Sequence, residues 1–340
     1  MSDSTNRRIV LASRPKGEPT ADNFRMEEQQ IPTPADGEVL LKVKYLSLDP
    51  YMRGRMSAAK SYAAPVEIGD TMVGGTVAEV VESRHPKFKA GQTVLSYSGW
   101  QEYAISNGKD LHVLDPDAAP PSTALGVMGM PGFTAYAGLL TIGKPKKGET
   151  VVVAAATGPV GSAVGQIAQI KGARAVGIAG GPEKCKALIE EFGFDVALDH
   201  RDPNFAQNLK EAVPEGIDVY FENVGGAVWK AVQPLLNDFA RIPVCGLVAH
   251  YNEVAPPEGP DRLPGFMGQM LSKHLTFQGF IQSDFIEQYP EFLKEMGGWL
   301  AQGRVKYRED IREGLENAPE AFIGMLTGGN FGKLIVKVSE

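Results

Sequence analysis

The chain is 340 residues long, enough for two domains with well-buried cores. Its formal net charge of −7 argues against nucleic acid and anionic membranes as partners, since both recruit basic faces. Two cysteines, Cys185 and Cys245, cannot build a disulfide framework, and the five scattered histidines offer no metal-ligand spacing, so no metal is expected.

The opening segment MSDSTNRRIV carries no apolar signal core, which together with the low cysteine count reads as cytoplasmic. Within residues 1–120, segments 38–45 and 73–81 are strand-like, and Pro32, Pro34, Gly54, Gly69, Gly91 and Gly99 punctuate at short intervals. This pattern predicts a β-rich, irregular domain. Segments 118–143 and 150–170 carry no charge, which raises the question of a membrane span. Pro120, Pro121, Pro131 and five glycines interrupt the first, and Gly158-Pro159 interrupts the second. Both therefore read as buried interior, not as lipid-facing helix.

From residue 150 onward two periods alternate. Segment 151–156 is a continuous apolar run suited to a strand buried on both faces. Val160, Ala163, Val164, Ile167 and Ala168 then recur at helical spacing until Gly172 stops the helix. Strands at 175–179, 196–198, 217–222, 241–247 and 275–280 are separated by helices at 183–192, from the Asp202-Pro203 cap pair to 212, and at 227–236. Such alternation predicts a doubly wound parallel sheet, an α/β class. The Pro-rich loop 252–265 follows a strand and reads as a lid. The closing NFGKLIVKV is again a strand, expected to return to the first domain.

A strand, then Ala156-x-Gly158-x-x-Gly161, then a helix is the dinucleotide fingerprint with alanine at its first glycine. Gly158 lets a pyrophosphate approach the backbone, Gly161 lets the helix pack closely on the strand, and the helix N-terminus faces the anion. The alternative is a structural glycine turn in an unrelated α/β protein. NAD sites place an acid about twenty residues further on, for the ribose 2′-hydroxyl. Here Gly180-Gly181 stands at that point, with Lys184 nearby and Arg201 as a further cation of unknown direction. A carboxylate beside a 2′-phosphate would cost up to roughly 4 kcal/mol at ~4 Å and an effective dielectric of about 20, so its absence favours NADP. Glu183 is the dissenting residue, expected to turn away at the helix start. Lys184 is alternatively a solvated helix lysine.

Six segments carry a family likeness: SLDPYMRGRM (47–56), GVMGMPGFTAYAGL (126–139), AATGPVGSAVGQIA (155–168), DVYFENVGG (218–226), CGLVAHYN (245–252) and NFGKLIVK (330–337). Together they make the chain resemble the medium-chain dehydrogenase/reductase superfamily, in its zinc-independent branch of prostaglandin, alkenal and curcumin reductases. The resemblance implies a GroES-like β-barrel substrate domain over 1–125, completed by 305–340, and a Rossmann domain over 126–304, with the active site in the cleft between them. It agrees with the missing metal, because GDTMVGG (69–75) stands where zinc-dependent relatives carry a Gly-His-Glu word.

Carried over by position, Gly158, Pro159, Val160 and Gly161 would hold the pyrophosphate and Lys184 the 2′-phosphate. Asn223 and Asn330 would contact the cofactor. Cys245, Gly246 and Tyr251 would line the nicotinamide side, and Phe280, Ile281 and Gln282 would approach the carboxamide. His200 departs from the animal reductases, which have a tyrosine there; it serves the phosphate or is an ordinary loop histidine. The resemblance also implies a homodimer paired along the 275–280 edge strand, since exposed edges tend to be paired or covered.

A nicotinamide without a metal implies hydride delivery to an electron-poor double bond. Hydride adds to the β-carbon of an enone or enal, and charge collects on the carbonyl oxygen, where neutral hydrogen-bond donors are needed. Tyr51 and Tyr251 are the candidates, Tyr251 either directly or by orienting the nicotinamide ribose. Alternatively both are pocket walls. Arg53 beside Tyr51 reads as an ion-pair residue, and Cys245 as inert packing. Two rival readings remain: a quinone reductase using the same cofactor, and a low-turnover NADP-binding protein that senses redox state or serves structurally.

Overall fold

The computed structural model describes residues 5–255 and 259–340. Along the chain come β1 (Thr5–Leu11), β2 (Phe24–Gln30), β3 (Val39–Ser47), α1 (Tyr51–Arg55), β4 (Thr76–Ser83), β5 (Thr93–Ser96), β6 (Tyr103–Ser106), β7 (His112–Val113) and α2 (Met130–Ala137). They are followed by β8 (Thr150–Ala154), α3 (Pro159–Ile170), β9 (Arg174–Ala179), α4 (Pro182–Glu190), β10 (Val196–Asp199), α5 (Phe205–Ala212), β11 (Ile217–Phe221) and α6 (Gly226–Val232). The remainder comprises β12 (Leu236–Val244), α7 (Leu263–Lys273), β13 (Thr276–Gly279), α8 (Tyr289–Ala301), β14 (Glu309–Glu313), α9 (Ala318–Leu326) and β15 (Lys333–Lys337). Among the described residues no helix is long and apolar enough to cross a membrane.

Two compact units result: Met1–Gly126 together with Glu309–Glu340, and Val127–Arg308. The first is built on a seven-stranded sheet of order β14-β15-β3-β4-β5-β7, with β6 also on β3, a mostly antiparallel GroES-like arrangement. The C-terminal strand β15 lies antiparallel to β3, pairing Ile335 with Ser47. The aliphatic side chains of these strands are buried, and Leu46, Leu334 and Val336 join Ile9, Met52 and Phe322 in one core. Trp100 is buried there, stacked on Phe24 with ring centroids 5.5 Å apart.

The second unit holds a six-stranded parallel sheet of order β10-β9-β8-β11-β12-β13, the Rossmann order. Side chains alternate across a strand, and β8 shows why it must be apolar throughout. Val151 and Val153 enter the core on one face, while Val152 and Ala154 enter the core on the other. Ala163, Val164, Ile167 and Ala168 of α3 seal the first of these faces. Segment 118–143 is interior from Ser122 onward, with Phe133, Ala135, Ala137 and Leu139 fully buried, while Ala118 and Pro120 are exposed.

Several boundaries depart from the sequence expectations. The strand expected at 151–156 stops at Ala154, because Ala155 adopts a left-handed φ of 51° and its carbonyl accepts the Gly158 N–H. The Asp202-Pro203 pair does not cap α5. Asp202 forms a turn, its carboxylate accepting the Asn204 N–H and its carbonyl the Phe205 N–H, so the helix starts at Phe205. The helix expected over 227–236 ends as α6 at Val232, because Pro234 has no N–H to extend it. The strand expected at 241–247 spans Leu236–Val244; it ends where the Cys245 and Gly246 N–H groups both turn to the Glu222 carbonyl. Of the expected lid 252–265, residues 256–258 lie outside the described residues. Its last three residues belong to α7, started by the Asp261 carboxylate accepting the Leu263 N–H.

Gly165 faces Phe194, whose ring would lie 2.0 Å from an added Cβ. Helix propensity alone favours Gly165→Ala by about 1 kcal/mol. The ring is buried and has nowhere to move, so overpacking of about 1–3 kcal/mol is expected to win. Calorimetry should show a melting temperature lowered by several degrees; an unchanged or raised one would refute this account of the packing.

Candidate active site

In the Rossmann unit the candidate cofactor residues follow the C-terminal tips of β8 to β13. Gly158 is the N-cap residue of α3, and Pro159 follows at the first helical position, where no N–H is needed. The first intrahelical bond runs from the Ser162 N–H to the Gly158 carbonyl. The amides of Val160 and Gly161 therefore have no partner inside the helix and suit an anion. A Cβ at Gly161 would stand 2.4 Å from the Ala155 carbonyl oxygen, so only glycine lets α3 begin this close to β8. At Gly158 the nearest atom would be 3.3 Å away, which leaves its outer side open to a ligand. These residues fit a dinucleotide pyrophosphate.

At the tips of β9 and β10 the sequence left the direction of Arg201 open. The structure lays its guanidinium against the glycine turn, Nε 3.0 Å from where a Gly180 Cβ would be, with His200 Nε2 at 2.9 Å. Burial and then the Arg201 charge hold the His200 pKa below its ordinary value, so the ring is neutral at pH 7. Lys184 sits in the first turn of α4, near enough for its charge to act on His200, while Glu183 is exposed. Asp199 is an acid the sequence reading missed. Burial pushes its pKa up, but the Gly181 and Arg201 N–H groups, each 2.9 Å from Oδ1, bring it below the usual carboxylate range. Its carboxylate is thus engaged within the turn. The signal available in sequence was an Asp at the end of a strand, followed directly by His200 and Arg201.

Glu222 was missed as well. It is 3% exposed at the tip of β11, and Oε1 accepts the Tyr220 hydroxyl at 3.0 Å and the Val224 and Gly225 N–H groups at 2.7 and 2.8 Å. Burial outweighs these bonds and raises its pKa. The loop it organises also carries Asn223, whose side-chain amide donates to the Ala154 carbonyl at 2.9 Å and so ties β11 to β8. His250 Nε2 accepts the Gly226 N–H at 3.1 Å, and its Nδ1 lies 2.8 Å from Glu253. Tyr251 folds back over this loop, its hydroxyl 2.9 Å from where a Gly246 Cβ would be. Burial pushes the Cys245 thiol up to about 12, which fits inert packing. Phe280 is committed to the core beside Phe221, so only its backbone remains for a ligand. The neighbouring Ile281 N–H is held by Asp284, and Gln282 opens a 3₁₀ turn.

In the other unit Tyr51 is half-buried at the first position of α1, packed against the core that contains Met52. Burial, and after it the Asp49 charge, pushes its phenol well above the ordinary value. Tyr51 is therefore a neutral donor at any physiological pH. Tyr97, which the sequence reading did not single out, lies close enough to act on Tyr51 and is shifted in the same direction by burial and Asp49. Arg53 is buried, and its guanidinium donates to the Gly17 carbonyl at 2.8 Å. Asn330 donates its amide to the Gly332 carbonyl at 2.8 Å, closing the turn before β15.

Two family models match the chain: an N-terminal domain of oxidoreductase over residues 7–114 and a zinc-binding dehydrogenase domain over residues 159–297. The chain is 59% identical over 335 residues to the NADPH-dependent curcumin reductase of Escherichia coli (strain K12), covering 98% of this chain and 97% of that one. It is 44% identical over 326 residues to prostaglandin reductase 1 of Sus scrofa, with 94% and 95% covered. The crystal structure of CurA in complex with NADPH from Vibrio vulnificus matches with a TM-score of 0.96 at 58% identity, covering 98% of this chain and 99% of that one.

The raised Glu222 pKa has a signed consequence. Above the unfolded value of 4.5 the folded chain keeps a proton that the unfolded chain releases, so stability falls as pH rises through the folded pKa. Glu222→Gln keeps an acceptor for the loop but cannot ionise. Melting curves from pH 4.5 to 8 are expected to show a shallower fall for the variant, with Glu309, also raised, retaining its share. An unaltered slope would mean that Glu222 ionises normally.

Proposed function

Because the chain belongs to the zinc-independent curcumin and prostaglandin reductase branch of the medium-chain dehydrogenase/reductase superfamily, we propose that it reduces the carbon–carbon double bond of α,β-unsaturated ketones and aldehydes with NADPH. The observation that carries this reading is the end-to-end likeness to a NADPH-dependent curcumin reductase. The absence of an acid at Gly180-Gly181, with Arg201, His200 and Lys184 around the turn and the Asp199 carboxylate taken up by the Gly181 and Arg201 N–H groups, supports the choice of NADPH over NADH.

NADPH, when bound, supplies the hydride that adds to the substrate β-carbon. The Val160 and Gly161 amides and the α3 N-terminus hold the pyrophosphate, and Arg201 with Lys184 holds the 2′-phosphate. As the β-carbon accepts the hydride, the carbonyl oxygen takes on negative charge. Tyr51 donates a hydrogen bond to that oxygen, for which its raised pKa suits it. Tyr251 orients the cofactor ribose from its place over Gly246. Solvent then protonates the α-carbon.

The test is loss of NADPH absorbance with a medium-chain enone, a quinone and no acceptor, each repeated with NADH. Turnover of the enone with NADPH is expected to dominate; tight NADPH binding with no acceptor consumed would overturn the reading. Tyr51→Phe and Tyr251→Phe are each expected to lower kcat tenfold or more, at least about 1.4 kcal/mol of transition-state stabilisation. Unchanged turnover in both would remove the two phenols from the reaction.

The homodimer belongs to the same proposal. Edge strand β13 leaves Thr276, Gln278 and Gly279 exposed, and α7 presents Leu263, Met267 and Leu271 to solvent along one face, the last 79% exposed. Light scattering should give the mass of two chains; the mass of one would refute it. A NADPH requirement and two free thiols support residence in the reducing cytoplasm.

A further inference from the structure

The peptide that delivers Tyr51 is anchored by a buried ion pair. Lys333 Nζ, on β15, donates to Asp49 Oδ1 at 2.7 Å and to the Leu48 carbonyl at 2.8 Å. The two side chains are only 3% and 7% exposed. The second carboxylate oxygen of Asp49 accepts the Ser47 hydroxyl. The backbone is tied as well: the Leu48 N–H donates to the Leu334 carbonyl at 3.2 Å, and the Met52 N–H to the Asp49 carbonyl at 3.1 Å. Pro50, with its φ fixed, then leads directly into Tyr51 at the start of α1. The stretch from β3 to Tyr51 thus has its position set by β15, a strand nearly three hundred residues later in the chain.

Stability alone is a poor reason for such a pair. Replacing a buried ion pair by apolar side chains of similar volume is often neutral or stabilising, because desolvation offsets the attraction. An ion pair does supply direction, since its hydrogen bonds admit one geometry where apolar contacts admit several. Asp49 also places a negative charge near the Tyr51 and Tyr97 phenols, opposing the loss of their protons.

We infer that Asp49 and Lys333 are positioning residues for the reduction, their ion pair holding the Tyr51 phenol where charge develops on the substrate oxygen. The inference rests on the reading of Tyr51 as the donor to that oxygen. Its test compares Lys333→Met and the pair Asp49→Asn with Lys333→Met, each with Tyr51 present and in a Tyr51→Phe background. Measured are kcat, the KM for NADPH, the melting temperature and the phenol titration of carbon-labelled tyrosine in the cofactor-free protein.

With Tyr51 present, kcat is expected to fall tenfold or more while the KM for NADPH stays within twofold. In the Tyr51→Phe background the same changes are expected to cost less than twofold, and removing the Asp49 charge is expected to lower the Tyr51 titration. Equal losses in both backgrounds, or no loss with Tyr51 present, would overturn the positioning role and leave the Tyr51 reading intact. Full activity of Tyr51→Phe alone would overturn that reading and the inference with it. The paired variant leaves no lone buried charge and carries the test if Lys333→Met misfolds. Failure of both to fold would make the pair a folding requirement and also overturn the inference.

Discussion

The Rossmann unit depends on one close approach, between the carbonyl of Ala155 and the backbone of Gly161. With no side chain at position 161, α3 starts directly against the end of β8, and its first-turn amides face outward over the strand tip. The same helix needs Gly165 so that the end of the Phe194 ring can lie against it, and Gly177 on β9 makes room for the Cδ1–Cε1 edge of that ring. Three glycines thus fit one helix and one aromatic ring onto the sheet. The fit of the helix end to an anion is a by-product of this packing, since the amides left without helical partners are those that the approach exposes.

Around that point, the electrostatics are decided by solvent access and backbone amides more than by residue type. Asp199 and Glu222 are both carboxylates at strand tips, and both accept two backbone N–H groups. Asp199 is half-exposed and is held low; Glu222 is buried and is driven up. One contributes a fixed charge beside Arg201, and the other acts as a neutral-leaning brace for the Asn223 loop. A similar division holds among the tyrosines, where burial leaves Tyr51 a donor of hydrogen bonds and a poor source of protons. For a reaction that builds charge on a carbonyl oxygen, a donor that keeps its proton is the useful kind.

The β-rich unit is organised differently, around pairing between distant parts of the chain. β15 is covered on both faces and is hydrogen-bonded to β3 and β14 on either side, so its residues are among the most constrained in that unit. Lys333 sits on this rigid strand, where its aliphatic stem is held beside Gly126 and its ammonium is aimed at Asp49. Holding a charge so deeply requires a partner of opposite sign, and the partner lies two residues before Tyr51.

Period and punctuation alone determined the alternating half of the fold. The apolar run of β8, the helical spacing of α3 and the glycines between them suffice to predict a parallel doubly wound sheet and its anion-binding turn, because these signals are local. The absence of an acid at Gly180-Gly181 was equally legible, being a matter of residue identity. Ends of elements were less so: Asp202 makes a turn where a cap was expected, and β12 stops because two amides turn to the Glu222 carbonyl. Only the tertiary structure decided which way Arg201 points, that Glu222 is buried, and that Lys333 meets Asp49. Each depends on what lies across the fold, because a side chain's direction and solvent exposure are set by its neighbours in space, and those of Asp49 include a lysine 284 residues away.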